Sequence, residues 1–179
     1  NSTAIILERG QSGSSGNVSW QVVSWQGTTA QNGSGSSVGG TTITASINSV
    51  NLTKSFLIFS NRLSGDTSIQ DLFIQGRFTS SNQVGFARYA NGGNLYVEFF
   101  VVEFPRLRTQ SDVYYYTADA APRNVTISPL VNMSKSFNIH SNWNTGTGTA
   151  YDRAFMTQKI ENQTTLQLQK GTGSNNGNT

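Results

Sequence analysis

The sequence predicts an all-β fold: one antiparallel β-sandwich, or two small packed ones, of an immunoglobulin-like or jelly-roll-like kind. Three observations support this. Apolar and polar residues alternate over short stretches, which is typical of strands with one buried face. Clusters of Gly, Asn and Ser separate these stretches and supply turns. No stretch has a convincing helical period, and short strands with frequent turns favour a sandwich.

The strand patterns differ in how strongly they are apolar. Alternation is clear where Val18, Trp20 and Val22 share one face, and it predicts a half-buried strand. Denser apolar stretches predict more deeply buried strands. Residues 68–76 fit either a strand or a short turn of helix. The predicted strands cover residues 18–22, 42–47, 55–59, 95–104 and 166–169.

Loops are expected wherever Gly, Asn and Ser cluster, because these residues accept the backbone angles that turns require. The stretch at 31–40 is one of them, and it is not a phosphate loop because it lacks a Lys-Ser/Thr ending. The expected loops are residues 11–17, 31–40, 91–94, 144–149 and 171–179.

Composition narrows the class of protein. The chain has 179 residues, which suits one domain or two small ones. Charged residues make up 12% of it, well below the usual share of about 25%, and the formal net charge is +3. There is no Cys and one His, which argues against disulfides, thiol catalysis and zinc or iron–sulfur sites. No apolar run approaches the ~20 residues of a membrane helix. The chain starts at Asn1 rather than Met, so we expect a processed or trimmed polypeptide.

An internal repeat is the strongest signal in the sequence. Residues 51–61 (NLTKSFLIFSN) recur at 132–142 (NMSKSFNIHSN), 81 residues later, with seven of eleven positions identical. Residues 18–25 match residues 97–104 in their Val and aromatic positions. The repeating unit is therefore about 80 residues long. We divide the chain into an N-terminal tail of a unit (1–26), a complete unit (27–110) and a second unit that lacks its last strand (111–179).

The incomplete second unit has a structural consequence. A unit without its final strand exposes a sheet edge and an apolar groove, and such edges invite another strand. The N-terminal segment carries the strand type that the last unit lacks. It can close the last unit of its own chain, or it can enter a neighbouring copy and build a head-to-tail filament. A further alternative is that the chain is a fragment of a longer tandem array.

The chain resembles β-sandwich repeat modules of prokaryotic surface-layer, extracellular fibre and phage structural proteins. The resemblance rests on the Ser-Trp-Gln-Val-Val strand at 19–23 and on the two Lys-Ser-Phe segments. It is general, since these modules share no chemistry that transfers residue by residue. It implies a non-catalytic extracellular role on a cell surface or a virion.

From these features we predict a structural subunit that joins copies of itself by β-strand complementation, without cofactor, metal or nucleic acid. The donor side is predicted at Ile5, Leu7, Val18, Trp20, Val22 and Trp25. The acceptor side is predicted at Phe137, Ile139, Leu166 and Leu168.

Two further functions stay open at this stage. A phage capsid or fibre protein is a variant of the same class. A carbohydrate-binding module or adhesin is the alternative, with Tyr114, Tyr116 and Trp143 as candidate sugar-stacking residues. Asn-x-Ser/Thr sequons predict an extracellular glycoprotein. They lie at Asn1, Asn17, Asn32, Asn51, Asn124, Asn132 and Asn162.

Catalysis finds no support in the sequence. Glu98 and Glu103 lie five residues apart on opposite faces of a strand, which argues against paired carboxylates. His140 occupies the position that holds Phe59 in the other copy, so packing is its expected role. No Asp-x-Asp-x-Gly loop is present to bind calcium. We therefore expect a protein that is not an enzyme.

Overall fold

A computed structural model of the chain describes residues 17, 19, 21–65, 69–116, 122–143 and 156–170. Nine strands and three short 3-10 helices form in these residues, so the prediction of an all-β chain with almost no helix is confirmed. The strands are β1 (Thr29–Val38), β2 (Thr42–Ser46), β3 (Ser55–Ser64), β4 (Gln75–Ser80), β5 (Gln83–Ala87), β6 (Asn94–Glu103), β7 (Arg123–Thr126), β8 (Met156–Asn162) and β9 (Thr165–Lys170). The 3-10 helices are Leu52–Lys54, Ile69–Leu72 and Met133–Lys135.

The strands form three antiparallel sheets of three strands each. Their orders are β1-β6-β3, β2-β5-β4 and β7-β9-β8. We call residues 29–103, which hold the first two sheets, the first region. The described residues from 104 to 170, which hold the third sheet, are the second region.

The hydrophobic core lies between the two sheets of the first region. In β6, Leu95, Val97, Phe99 and Val101 point to one side and are at most 2% exposed. They pack in one cluster with buried side chains of the other sheet, such as Phe86. The rings of Phe86 and Phe99 have centroids 5.6 Å apart. Each fully buried aliphatic or aromatic side chain of this kind contributes roughly 1.5–3 kcal/mol to folding.

Strand β1 corrects a prediction, since its Gly- and Ser-rich sequence was expected to be a loop. It pairs with β6 along its whole length, from Thr29 opposite Glu103 to Val38 opposite Asn94. The small residues are required by packing. A Cβ atom on Gly33 would lie 2.4 Å from the Phe99 ring, and one on Gly35 would lie 2.5 Å from Ile43. These glycines fit a strand because the side chains of Phe99 and Ile43 occupy the space that a larger residue would need.

The other strand predictions have mixed outcomes. Strands β2, β3, β6 and β9 form where predicted. Residues 68–76 contain the 3-10 helix Ile69–Leu72 and the start of β4. Strand β3, whose dense apolar stretch predicted deep burial, lies at the edge of its sheet. Residues 136–143 form no strand, and neither do residues 21–22 of the predicted strand 18–22. Among the described residues, no strand pairs with the backbone of either segment.

The second region repeats local geometry of the first. Asn51 and Asn132 have nearly the same backbone angles, φ −83° and ψ 107° against φ −86° and ψ 106°. Each side chain accepts a hydrogen bond from the backbone amide two residues later, at 3.0 and 3.1 Å. Each backbone carbonyl accepts one from the hydroxyl of Ser55 or Ser136, at 2.8 and 2.7 Å.

The sheets β2-β5-β4 and β7-β9-β8 also match in detail. In each, the last strand of the order carries a register shift near its end, between Phe78 and Ser80 in β4 and between Ile160 and Asn162 in β8. The third sheet nevertheless has little core. Among the described residues of the second region, Leu168 is the one buried hydrophobic side chain.

Candidate subunit interface

The second Lys-Ser-Phe segment, residues 136–143, is exposed where the first one is buried. Phe56 in β3 lies opposite Val102 of β6 and is 8% exposed. Phe137 occupies the same place in the repeat and is 62% exposed. The two segments share Lys-Ser-Phe but differ at the positions of β3 that pack on the core, since Leu57 and Phe59 are replaced by Asn138 and His140. In the part of the chain that the structure describes, no strand pairs with residues 136–143.

Polar contacts hold the 136–143 segment in place from one side. The Asn138 side chain donates to that of Gln158 in β8 at 3.2 Å, and His140 Nε2 lies 3.2 Å from the Met156 carbonyl oxygen. Ser141 Oγ accepts from the Gly76 amide at 3.0 Å and donates to the Gly76 carbonyl at 3.3 Å. On the side of the segment, each of these contacts is made by a side chain of Asn138, His140 or Ser141.

A small cleft accompanies this segment. It has a volume of about 260 Å³ and lies between β3, residues 72–74 and residues 139–142. The wall of the second region consists of Ile139, His140, Ser141 and Asn142. His140 thus faces a backbone carbonyl and lines the cleft.

The predicted acceptor residues fall into two groups. Phe137 and Ile139 are exposed, at 62% and 48%. Leu166 and Leu168 lie in β9, the central strand of the third sheet, where Leu166 is half-buried and Leu168 is buried. The structure does not give a contact between the two groups.

The predicted donor residues are only partly described. Ile5, Leu7, Val18 and Trp20 lie outside the described residues. Val22 is 72% exposed and Trp25 is 49% exposed, and residues 21–26 have no strand partner. The Trp25 ring lies 5.9 Å from that of Phe104, measured between centroids. Two large apolar side chains of a strand-like sequence are therefore left in contact with solvent.

A second exposed segment, residues 110–116, was not assigned to the acceptor from the sequence. The Gln110 side chain donates to the Pro129 carbonyl at 2.8 Å. In the first region, the Gln31 side chain of β1 donates to the Asn48 carbonyl at 3.0 Å. Gln110 follows Gln31 by 79 residues, and Pro129 follows Asn48 by 81. Residues 110–116 therefore correspond to β1 in the second region. The Gln shared by the two segments was a sequence signal for this correspondence, but the residues around Gln110 differ too much from those around Gln31 to reveal it.

The candidate sugar-stacking residues make two aromatic contacts among the described residues. Tyr114 and Tyr116 contact each other, with ring centroids 6.3 Å apart in an edge-to-face arrangement. Trp143 stacks on Tyr89 at 6.1 Å with 10° between the ring planes. One face of Trp143 is thus covered by a side chain of the first region. Residue Tyr115, on the opposite side of its segment, is 77% exposed.

The sequon asparagines all lie on the surface where they are described. At Asn51, Asn132 and Asn162 the side-chain oxygen accepts hydrogen bonds from the Thr or Ser two residues later. That bonding leaves the amide nitrogen, the atom that carries a glycan, directed away from the turn. The exposed sequon positions are Asn17, Asn32, Asn51, Asn124, Asn132 and Asn162. Asn1 lies outside the described residues.

Comparison with models of protein families, with curated proteins and with solved structures gives no match to this chain. In the described ranges, no helix is long and apolar enough to cross a membrane. No three His, Asp or Glu side chains of those ranges are grouped as a metal site would require.

Proposed function

We propose that this protein is the structural subunit of an extracellular filament or surface fibre, and that neighbouring copies are joined by β-strand complementation. The first region is a six-stranded β-sandwich in this proposal. The second region is the same sandwich with its central strand supplied by residues 17–26 of the next copy. The observation that supports the proposal is that Phe137 is 62% exposed where Phe56 is 8% exposed, although the two rings meet edge-to-face with centroids 6.1 Å apart.

The pattern of the donor segment supports the proposal. Val97, Phe99 and Val101 of β6 face the core, and the equivalent residues 79 positions earlier are Val18, Trp20 and Val22. A strand with this face buries apolar area as β6 does, at roughly 25 cal/mol per Å². When this face is exposed to solvent, as Val22 is, the stabilisation from apolar burial is lost. Strand addition to an open sheet is a known mode of recognition in which main-chain hydrogen bonds give affinity.

The surface chemistry supports an extracellular location. Asn, Ser, Thr, Gln and Gly rather than charges make the surface polar, since only 12% of the residues are charged. Low charge reduces repulsion between packed copies. All described sequons are exposed and accessible to a glycosyl-transferring enzyme.

The test uses the full chain with charges on the donor face. Trp20→Asp together with Val22→Asp should abolish assembly, because the carboxylates would enter the apolar groove that Trp20 and Val22 fill. The matched control is Ser19→Asp with Gln21→Asp, which adds the same charge to the other face of the same strand. Assembly is followed by light scattering and negative-stain electron microscopy.

The outcomes separate the alternatives. Filaments from the control and monomers from the Trp20/Val22 variant support the proposal. Filaments of normal length from both variants would contradict it. If the wild-type chain is monomeric and the same two donor substitutions lower its stability, the donor strand closes its own chain. That result would favour a binding module or one unit of a longer array.

A further inference from the structure

We infer that the donor strand enters between two acceptor segments, residues 110–116 on one side and residues 136–143 on the other, and so becomes the central strand of a completed sheet. This inference rests on the proposed function and specifies the partner surface: a second copy of this chain, gripped along both strand edges. One-sided addition to residues 136–143 is the simpler alternative that it excludes.

The hydrogen-bonded order of the first region gives the template. Strand β6 is central, with β1 and β3 on either side, and its ten residues pair with both. Val101 lies opposite Gln31 in β1 and opposite Leu57 in β3. The second region contains the counterparts of both neighbours. Gln110 holds the place of Gln31 through its bond to Pro129, and residues 132–136 repeat the turn that precedes β3.

Transfer of this register predicts the contacts of the donor. Val22, the counterpart of Val101, would lie between Gln110 and Asn138. The next inward position places Trp20 between Asp112 and His140. The one after it places Val18 between Tyr114 and Asn142. The backbone direction is antiparallel to both acceptor segments, as it is for β6.

Side-chain volumes exchange places in a way that fits this register. In the first region, small residues of β1 face large residues of β6, and Gly33 has no room for a Cβ beside Phe99. In the second region, Tyr116 of the acceptor would face Gly16 of the donor, where β1 and β6 have Ser37 opposite Leu95. At this position a larger acceptor residue and a smaller donor residue replace the pair of the first region, as close packing requires.

The exposure of residues 110–116 also fits an unfilled edge. Tyr114 and Tyr115 are 47% and 77% exposed, and Val113 is exposed as well. The segment has no strand partner among the described residues, although it begins with hydrogen bonds that β1 shares. Exposed side chains at Val113, Tyr114 and Tyr115 are what a donor strand that pairs with this segment would partly cover.

Cysteine cross-linking tests the inference in a chain that has no Cys of its own. Phe100, whose donor counterpart is Gln21, lies opposite Asn32 and Ile58. Two variants follow: Gln21→Cys with Ser111→Cys, and Gln21→Cys with Ile139→Cys. The control is Gln21→Cys with Asp112→Cys, because a one-residue slip places the second thiol on the other face. Each variant assembles under reducing conditions, is oxidised mildly and is run on a non-reducing denaturing gel.

The inference predicts a ladder of covalent oligomers from both the Ser111 and the Ile139 variants, with at least tenfold less product from the Asp112 control. A ladder from Ile139 without one from Ser111 would overturn the two-sided insertion and leave strand complementation standing. Filaments that give no ladder from either pair would contradict the two-sided insertion. If neither the variants nor the wild type form filaments, both the two-sided insertion and the proposed function are contradicted.

A second measurement keeps the inference testable if a cysteine pair prevents assembly. Tyr114→Ser removes a ring from the donor-facing side of its segment, whereas Tyr115→Ser removes one from the other side. The inference predicts that Tyr114→Ser raises the critical concentration for assembly at least tenfold and that Tyr115→Ser changes it less than threefold. Equal effects of the two substitutions would contradict it.

Discussion

The two Lys-Ser-Phe segments have nearly the same sequence and different structures. The first follows an Asn-capped turn into β3 and is paired with β6 along ten residues. The second follows the same turn, with the same hydrogen bonds at Asn132, and forms no strand. The comparison teaches that the turn is encoded locally, whereas the strand depends on a neighbour. Strand propensity is in large part a measure of packing against adjacent strands.

The two regions also differ in what lies under their matching sheets. The sheet β2-β5-β4 is covered by β1-β6-β3, and the shared core contains Val84 and Phe86 at 0% and 1% exposed. The sheet β7-β9-β8 repeats the bulge and the pairing of its counterpart but has one buried hydrophobic residue, Leu168. The two matching sheets therefore differ in how many apolar side chains the described residues bury on them.

The largest expected effect comes from truncating matching core positions. Phe86 and Leu168 occupy the same place in β5 and β9. Phe86→Ala should lower the free energy of unfolding by about 3–5 kcal/mol, because it leaves a cavity among tightly packed rings. Leu168→Ala in unassembled protein should cost less than half as much, since fewer side chains surround it. Urea denaturation of the two variants measures both, and an equal loss would contradict the uneven core.

The next effect separates the two Phe residues of the repeat. Phe56→Ala should destabilise the unassembled subunit by about 3 kcal/mol. Phe137→Ala should lower its stability by less than about 1.5 kcal/mol, because Phe137 is 62% exposed and what it loses is its edge-to-face contact with Phe56. In assembled protein, Phe137→Ala should lower stability to a degree that approaches Phe56→Ala. Thermal unfolding of both variants, before and after assembly, checks this, and a Phe137 effect that does not depend on assembly would contradict it.

A third effect concerns the small residues of β1. Gly33→Val should destabilise the first region by about 1–3 kcal/mol, because its Cβ would meet the Phe99 ring at 2.4 Å. The matched control is Ser34→Val, on the exposed side of the same strand. Denaturant unfolding compares the two. If Gly33→Val is as stable as the wild type, the Gly-rich sequence of β1 is not explained by packing.

The smallest effect expected is at a buried guanidinium. Arg88 is 4% exposed and donates to the carbonyl oxygens of Gly40, Gly92 and Gly93. Arg88→Lys should cost about 1–2 kcal/mol, because an ammonium cannot reach all three acceptors with the fork geometry of Arg. Lys170→Arg, at the matching end of β9, is the control and should be within about 0.5 kcal/mol of the wild type. Similar losses at both positions would contradict a special role for Arg88.

Sequence reasoning recovered the parts of the fold that periodicity encodes. The alternation at residues 42–47 and the dense run at 95–104 mark β2 and β6. Strand β1 was missed, because Gly and Ser favour turns by composition and only the Phe99 ring makes them fit a strand. The Lys-Ser-Phe segment occurs twice in the sequence, and it forms a strand in β3 but not at residues 136–143. Its second copy depends on a neighbour that pattern alone does not reveal.

The candidate interface was predicted in part for the same reason. The exposed Phe137 and Ile139 belong to a visible repeat, so the sequence pointed to them. The segment at 110–116 shares little with β1 beyond Gln110, and its role follows from a side-chain hydrogen bond that only coordinates show. Sugar stacking by Tyr114 and Tyr116 stays a prediction, because aromatic residues in a sequence do not by themselves distinguish a ligand platform from a strand edge.

The most direct test of the central claim is the size and shape of the intact chain in solution, measured by light scattering with negative-stain electron microscopy. Strand complementation between copies predicts fibres, or a ladder of species at multiples of 19.4 kDa. A single compact species of 19.4 kDa at every concentration would contradict it and would place the donor strand, if it binds at all, in its own chain.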